Sequence, residues 1–365
     1  MDIPDDAEIV DAAGTWVLPG FVESHGHVGV MEAAEGWAGI DVNEMTDPNG
    51  ARLRAMDGIN PDDEGFRDAL SGGVTTVVVK PGSGNPIGGR TVAVKSWGRT
   101  VDDMLVREPV SVKSALGENP KRIYGEKDKL PTTRLGVAAV IRDAFVKAQD
   151  YRSAREWAIR EGKPFERDNT MEVLGQVLDG DLPWCQHSHR ADDIATAIRL
   201  SEEFGYRLIL NHGTEGHLLA DTLADKDIPV IIGPLIVERS KVEVRRRHLR
   251  NPGILARAGV RIALTTDHPV VPIEFLVHQA TFAVKEGLDT ETAIRSITVN
   301  PARIMGIDDR VGALRAGLDA DIVLWSGDPL DVMSRAVRVF VEGREVYHFD
   351  EHTGFGVTAN PFYQE

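Results

Sequence analysis

Three things are scarce in this chain of 365 residues. Cysteine occurs once, at Cys185, which excludes an internal disulfide framework and fits a reducing compartment. Positive charge is short: 41 Lys and Arg face 57 Asp and Glu, a formal net charge of −16. Phosphate-backbone binding rests on clustered Lys and Arg, so neither nucleic acid nor an anionic membrane surface is an expected partner. Apolar runs long enough to span a bilayer are also missing. The opening residues, Met1 with Asp2, Asp5, Asp6 and Glu8, lack the basic and apolar character of a secretion signal. We expect a cytoplasmic protein acting on a small molecule, with a homo-oligomer as a candidate assembly. The 36 glycines, 19 prolines and 27% charged residues suit a loop-rich α/β protein, and the length allows one large domain with a small appendage.

What is present centres on Leu18-Pro19-Gly20-Phe21-Val22-Glu23-Ser24-His25-Gly26-His27. In a strand, residues two apart share a face, so His25 and His27 would present both imidazoles in one direction. Two neutral imidazoles suit a divalent transition metal such as zinc. Taken alone, the pair could equally be half-buried histidines on an edge strand.

Further along, residues 29 to 58 read as a long loop, 61 to 71 as a helix, and Val74 to Val79 as a buried strand. Pro81 to Gly89 is glycine-rich but matches neither phosphate-binding pattern, and we read it as a wide turn. A strand at 91 to 96, a short helix near Asp102 to Arg107 and a strand at 109 to 115 follow. The segment from Leu116 to Gly125 is polar and turn-forming. Helices are expected over 133 to 162, with Val137, Val140, Ile141, Phe145, Ala148 and Tyr151 on one face, and over 167 to 178.

Then the alternation becomes regular. Strands end in His187-Ser188-His189, in Asn211-His212-Gly213, at Ile232, and in Thr265-Thr266-Asp267-His268, with helices between them and two more at 272 to 286 and 289 to 299. Such units imply a parallel sheet with helices outside, and about eight of them close a (β/α)₈ TIM barrel. His25, His27, His187, His212 and Asp267 all fall at the C-terminal ends of expected strands, the rim where barrel active sites sit.

At this point the residues resemble the amidohydrolase superfamily over nearly the whole chain, in particular its imidazolonepropionase-like members. Pro19 to His27 looks like the first-strand signature. Asn300-Pro301-Ala302, Gly312, Gly317, Ala320-Asp321-Ile322-Val323 and Asp328-Pro329-Leu330 look like the C-terminal return. The resemblance implies His25, His27, His187 and His212 as metal ligands and Asp267 as the eighth-strand acid. It also implies one or two divalent ions, Zn²⁺ first among them, with Lys113 (carboxylated) or Glu118 as a bridging ligand. A barrel at 18–310 is expected beside a small, reduced β-sandwich built from 1–17 and 311–365, because family members carry a longer N-terminal segment than this chain does.

An ion so held lowers the pKa of a bound water towards ~7. Asp267 would then take the proton as general base during hydrolysis of an amide-like C–N bond, in a cyclic amide, an N-acyl amino acid or a dipeptide. His189 shares a face with His187 and is read as a catalytic neighbour of His212, a substitute ligand or a substrate contact. Arg122, Tyr124, Arg239 and His268 are the candidate substrate contacts, since an anionic group needs fixed donors. Cys185, on the same alternating face, reads as an inert core residue, and Arg245 to Arg247 as a solvated face. A deaminase is the rival activity, disfavoured by Arg190 where that branch carries Glu. A non-catalytic scaffold is the rival class.

Overall fold

Strand β1 (Trp16–Pro19) runs through Gly20 into β2 (Phe21–Gly26), and the two belong to different sheets. The structure, a computed structural model, describes residues 7–362; residues 2 to 6 of the acidic start and the last three of the expected 311–365 segment lie outside it. Beyond β2, the long loop ends at α1 (Glu64–Ser71), capped by the Asp63 carboxylate on the Gly65 amide, a capping arrangement typical of Asp before a helix. Next come β3 (Val74–Val79), β4 (Ile87–Lys95) and β5 (Leu105–Ala115). Helices α2 (Glu118–Gly125), α3 (Arg134–Arg160) and α4 (Asn169–Leu178) lead to β6 (Trp184–Ser188). The chain then alternates through α5 (Ala191–Phe204), β7 (Leu208–His212), α6 (Ala220–Asp225), β8 (Val230–Ile232), α7 (Asn251–Arg257) and β9 (Ile262–Leu264). It ends with α8 (Leu276–Lys285), α9 (Thr290–Arg295), α10 (Val299–Met305), β10 (Ile322–Trp325), β11 (Ala336–Val341), β12 (Arg344–Asp350) and β13 (Phe355–Thr358).

β2 to β9 form one eight-stranded sheet in sequence order. Its edges meet, since the His27 amide donates to the His268 carbonyl at 3.0 Å and Thr265 Oγ1 to the His25 carbonyl at 2.8 Å. This is the expected TIM-like barrel with one difference. β4 runs antiparallel to both neighbours, so β3, β4 and β5 are joined without helices. The helix expected at 102 to 107 is accordingly a turn followed by strand, because Leu105 and Arg107 pair with Val94 and Ala93; tertiary pairing overrides a weak local preference. The segment read as turn-forming at 118 to 125 is instead helix α2.

Val22, Val78, Ala93, Cys185, Ile209, Ile231 and Ala263 fill the inside of the barrel, packed with Ala302, Ile304 and Met305 of α10. On α3 the expected face is buried from Val137 to Ala148, and Phe145 packs on Trp184 with ring centroids 4.9 Å apart.

β1 joins β10 to β13 in a five-stranded antiparallel sheet, order β1-β10-β11-β12-β13. The terminal segments therefore make one sheet where a reduced sandwich was expected. Because β4 runs backwards, its last residue, Lys95, lies beside Thr76 near the start of β3, and there its ammonium meets Asp321 at 2.7 Å and Asp319 at 2.8 Å. The terminal sheet is thus tied to the barrel at the end opposite the histidines. No described helix is long and apolar enough to cross a membrane.

Candidate metal centre

The strand ends bring six ligand-type side chains together as two triads, His25–His27–Asp267 and His187–His189–His212, each with its ligand atoms within 4.8 Å of one another. The triads adjoin: the His25 and His212 rings are 4.9 Å apart between centroids. In three of the imidazoles one nitrogen is already held by the protein. His27 Nδ1 donates to the Lys80 carbonyl and His212 Nδ1 to the Gly233 carbonyl, both at 2.8 Å, while His189 Nδ1 lies 2.7 Å from Thr214 Oγ1. Each such contact orients a ring and leaves Nε2 for the site. Gly233 has φ 141°, and a Cβ there would sit 2.2 Å from the Thr265 carbonyl, so only glycine lets this carbonyl approach.

The donor set fits a divalent cation. Both ring nitrogens of His25 and of His187 are buried without a hydrogen-bond partner, a state that normally demands an explanation. His25 Nε2 is 2.9 Å and His27 Nε2 3.3 Å from Asp267 Oδ1, and the first of these contacts, though short, lacks hydrogen-bond alignment. Imidazoles and a carboxylate converging in this way match the nitrogen and oxygen ligands of zinc and its neighbours. Two of the six residues, His212 (φ 71°) and Asp267 (φ 53°), hold positive φ, a strain that non-glycine residues sustain mainly at functional sites.

Burial pushes His25, His187 and His189 well below the ordinary histidine range and His212 to about 4; all four are neutral ligands at pH 7. Burial also works against ionising Asp267, but His212, His25 and His27 outweigh it and hold the carboxyl well below the usual range. Lys113, completely buried, is pushed down to about 7 by that burial, and its Nζ donates to the Pro81 carbonyl at 3.3 Å. Its charge bears on the histidines of both triads.

The other expected site residues are distributed differently. Glu118 joins neither triad: it opens α2, and its carboxylate receives the Glu243 amide at 3.4 Å, which removes it as the candidate bridging ligand. Tyr124 is buried with its hydroxyl donating to Asn85 Oδ1 at 2.9 Å. Arg239 is exposed and donates to the Arg245 carbonyl. His268 faces inward beside Gly65, with Nδ1 accepting from the Ile273 amide at 3.1 Å. Arg122 is exposed at the mouth of a cavity that also reaches Arg190. Arg190 itself is held by Asp192.

Two residues went unrecognised in the sequence. Glu23, fully buried, accepts from the His25 amide at 2.9 Å and from the Thr266 amide and hydroxyl at 2.8 and 2.7 Å, tying the first strand to the Asp267 loop. Alternation does not flag it, because the β2/β3 register shifts between Glu23 and Gly26. Lys80, buried inside the barrel, donates to Asn211 Oδ1 at 3.3 Å and lies 3.6 Å from Cys185 Sγ. A signal was available for Lys80: it directly follows the apolar strand Val74–Val79, as the histidines follow theirs.

With this geometry in place, the family can be stated. The amidohydrolase family model matches residues 16–348, and the chain belongs to that family. Within it the chain is imidazolonepropionase-like: it is 24% identical to the imidazolonepropionase of Mesorhizobium japonicum, over 87% of this chain and 80% of that one. It is 30% identical to the amidohydrolase tasK of Hapsidospora irregularis over 94% of its own length, while spanning only 37% of that longer protein. Among solved structures, an amidohydrolase from Thermotoga maritima superposes with a TM-score of 0.93 at 46% identity, covering 95% of this chain and 91% of that one.

Proposed function

We propose that the protein is a metal-dependent hydrolase that cleaves an amide-like C–N bond in a small molecule. The observation that carries this reading is the pair of adjoining triads on the barrel rim, His25–His27–Asp267 and His187–His189–His212, at the end of the barrel where such enzymes place their chemistry. Family membership supports it. One or two divalent ions, zinc in the first instance, would be held by these side chains, with Lys113 between them as the bridging ligand if carboxylated. A bound ion supplies Lewis acidity towards water and the scissile carbonyl.

The chain's own residues do the rest. Asp267, ionised and flanked by His25 and His27, accepts the water's proton at a carboxylate oxygen as attack proceeds and returns it to the departing nitrogen. His212 and His189, fixed through their Nδ1 atoms, present Nε2 towards the same space. Glu23 holds the Thr266 backbone and so the position of Asp267. The barrel wall of buried strands keeps bulk water from this space on every side but the mouth.

Elemental analysis of protein purified without added metal and without a polyhistidine tag tests the reading. One or two equivalents of a divalent transition metal per chain are expected. A stoichiometry near zero, together with no hydrolysis of N-acyl amino acids, dipeptides or cyclic amides after metal addition, would favour a non-catalytic scaffold. Release of ammonia from aminated heterocycles would replace hydrolysis by deamination.

A further inference from the structure

Beside the triads, a cavity of about 590 Å³ opens on the same barrel face, walled by the segment after β5, the start of α5 and the loop after β8. Four cations line it, Lys121, Arg122, Arg134 and Arg190, against two carboxylates, Glu118 and Glu126. Their pairing is uneven. Arg134 is committed to Asp193 at 3.1 Å and Glu243 at 2.8 Å, and Arg190 to Asp192 at 2.7 Å. Glu118 is occupied by the Glu243 amide. Lys121 and Arg122 have no hydrogen-bond or ion-pair partner among the described residues.

A third free cation stands between this cavity and the metal centre. Lys241, half-buried, immediately precedes Val242 of the cavity wall and is likewise unpartnered. Its neighbour Glu243 is anchored by the Glu118 amide at 2.6 Å and by Arg134, so the loop that carries Lys241 is fixed. The charge of Lys241 reaches His187, His189, His212 and Lys113, where it opposes protonation. On the cavity's other flank, Arg190 follows His189 directly in the chain.

Three unneutralised cations around one mouth are unexpected in a chain of net charge −16, whose overall field repels anions at long range. The larger cavity, about 740 Å³ beneath the 30 to 61 loop, offers a contrast. Its two cations, Arg52 and Arg54, are neutralised by Asp47 and Glu108, so it presents no free positive charge.

We propose that the 590 Å³ cavity is the subsite for a carboxylate of the substrate, recognised by Lys121, Arg122 and Lys241 while the amide-like bond of the same molecule meets the triads. This rests on the hydrolase reading above and narrows its substrate to amides that carry an acid group, such as N-acyl amino acids. Arg122 thereby keeps the role read from the sequence, and Lys241 takes the one assigned there to Arg239.

The test uses matched probes, N-acetyl amino acids and the corresponding N-acetyl amino acid amides, which differ in one charge. The wild-type protein is expected to show the lower KM for the acids. In the Lys121→Met/Arg122→Met/Lys241→Met variant, KM for the acids rises roughly tenfold or more, the scale of losing a charge-assisted hydrogen bond. Values for the amides, kcat and the metal content stay near wild type. Equilibrium dialysis of the same acids at low salt adds a readout independent of turnover. Binding of the acids that the variant loses, without hydrolysis by either protein, supports the subsite and counts against the hydrolase reading. Equal KM and equal binding for acids and amides, or an acid preference that survives in the triple variant, overturns the subsite.

Discussion

Asp267 combines the features that make a single residue testable: contacts to His25 and His27, positive φ, and a carboxyl held ionised. Asp267→Asn keeps the size and one coordinating oxygen but cannot accept a proton. We expect turnover to fall ~10²-fold or more, the usual worth of a general base, with metal content largely kept. Near-normal turnover at saturating metal would transfer the role to His189, since Glu118 is turned away on the Glu243 amide. His25→Ala should act differently, losing metal and activity together; an unchanged elemental analysis would remove His25 from the ligand set. Of the residues singled out in the sequence, the four histidines of the barrel rim and Asp267 were legible because strand ends in a barrel converge. Glu118, Arg239 and Tyr124 were not placed correctly, because where a loop side chain points depends on partners from other loops, here Glu243, Arg245 and Asn85.

Among the elements, the loop after β8 and the start of α2 are clamped to each other. Glu243 accepts from the Glu118 amide and from Arg134, and burial, followed by the nearby charges of Glu118 and Asp193, raises its carboxyl to about 7 from an ordinary 4.5. The folded state therefore binds this proton more tightly than the unfolded one. Its stabilising contribution is complete below about 4.5 and is lost as pH rises through about 7, a direction set by proton linkage. In Glu243→Gln, which retains the Oε1 acceptor, that loss should be absent. Denaturant unfolding at pH 5 and pH 8 checks this: a stability difference between the two pH values equal to that of wild type would show that Glu243 does not carry it. The clamp was invisible in sequence, since its members lie 125 positions apart.

For the molecule as a whole, the junction of the terminal sheet with the barrel rests on Lys95, nearly buried between Asp319 and Asp321. Phe21 and Trp325 pack across the same junction with ring centroids 5.3 Å apart. Lys95→Met would leave Asp321 buried without its cation, an imbalance that typically costs about 3–5 kcal/mol. A marked drop in Tm is expected, with the metal-site residues untouched. A Tm within a degree of wild type would show that apolar packing alone holds the junction. Lys95 takes this place because β4 is reversed.

By itself the sequence determined the alternation of strands and helices, the barrel and the ligand types on its rim. Each depends on local periodicity: apolar runs of strand length, helical faces such as Val137 to Ala148, and histidines placed directly after strands. Tertiary structure decided the direction of β4, the joining of the termini into one sheet, and the inward turn of Glu23 and Lys80. It also decided which cations stay free, because pairing partners such as Arg134 and Glu243 come from segments far apart in the chain, and no local pattern encodes a contact of that range.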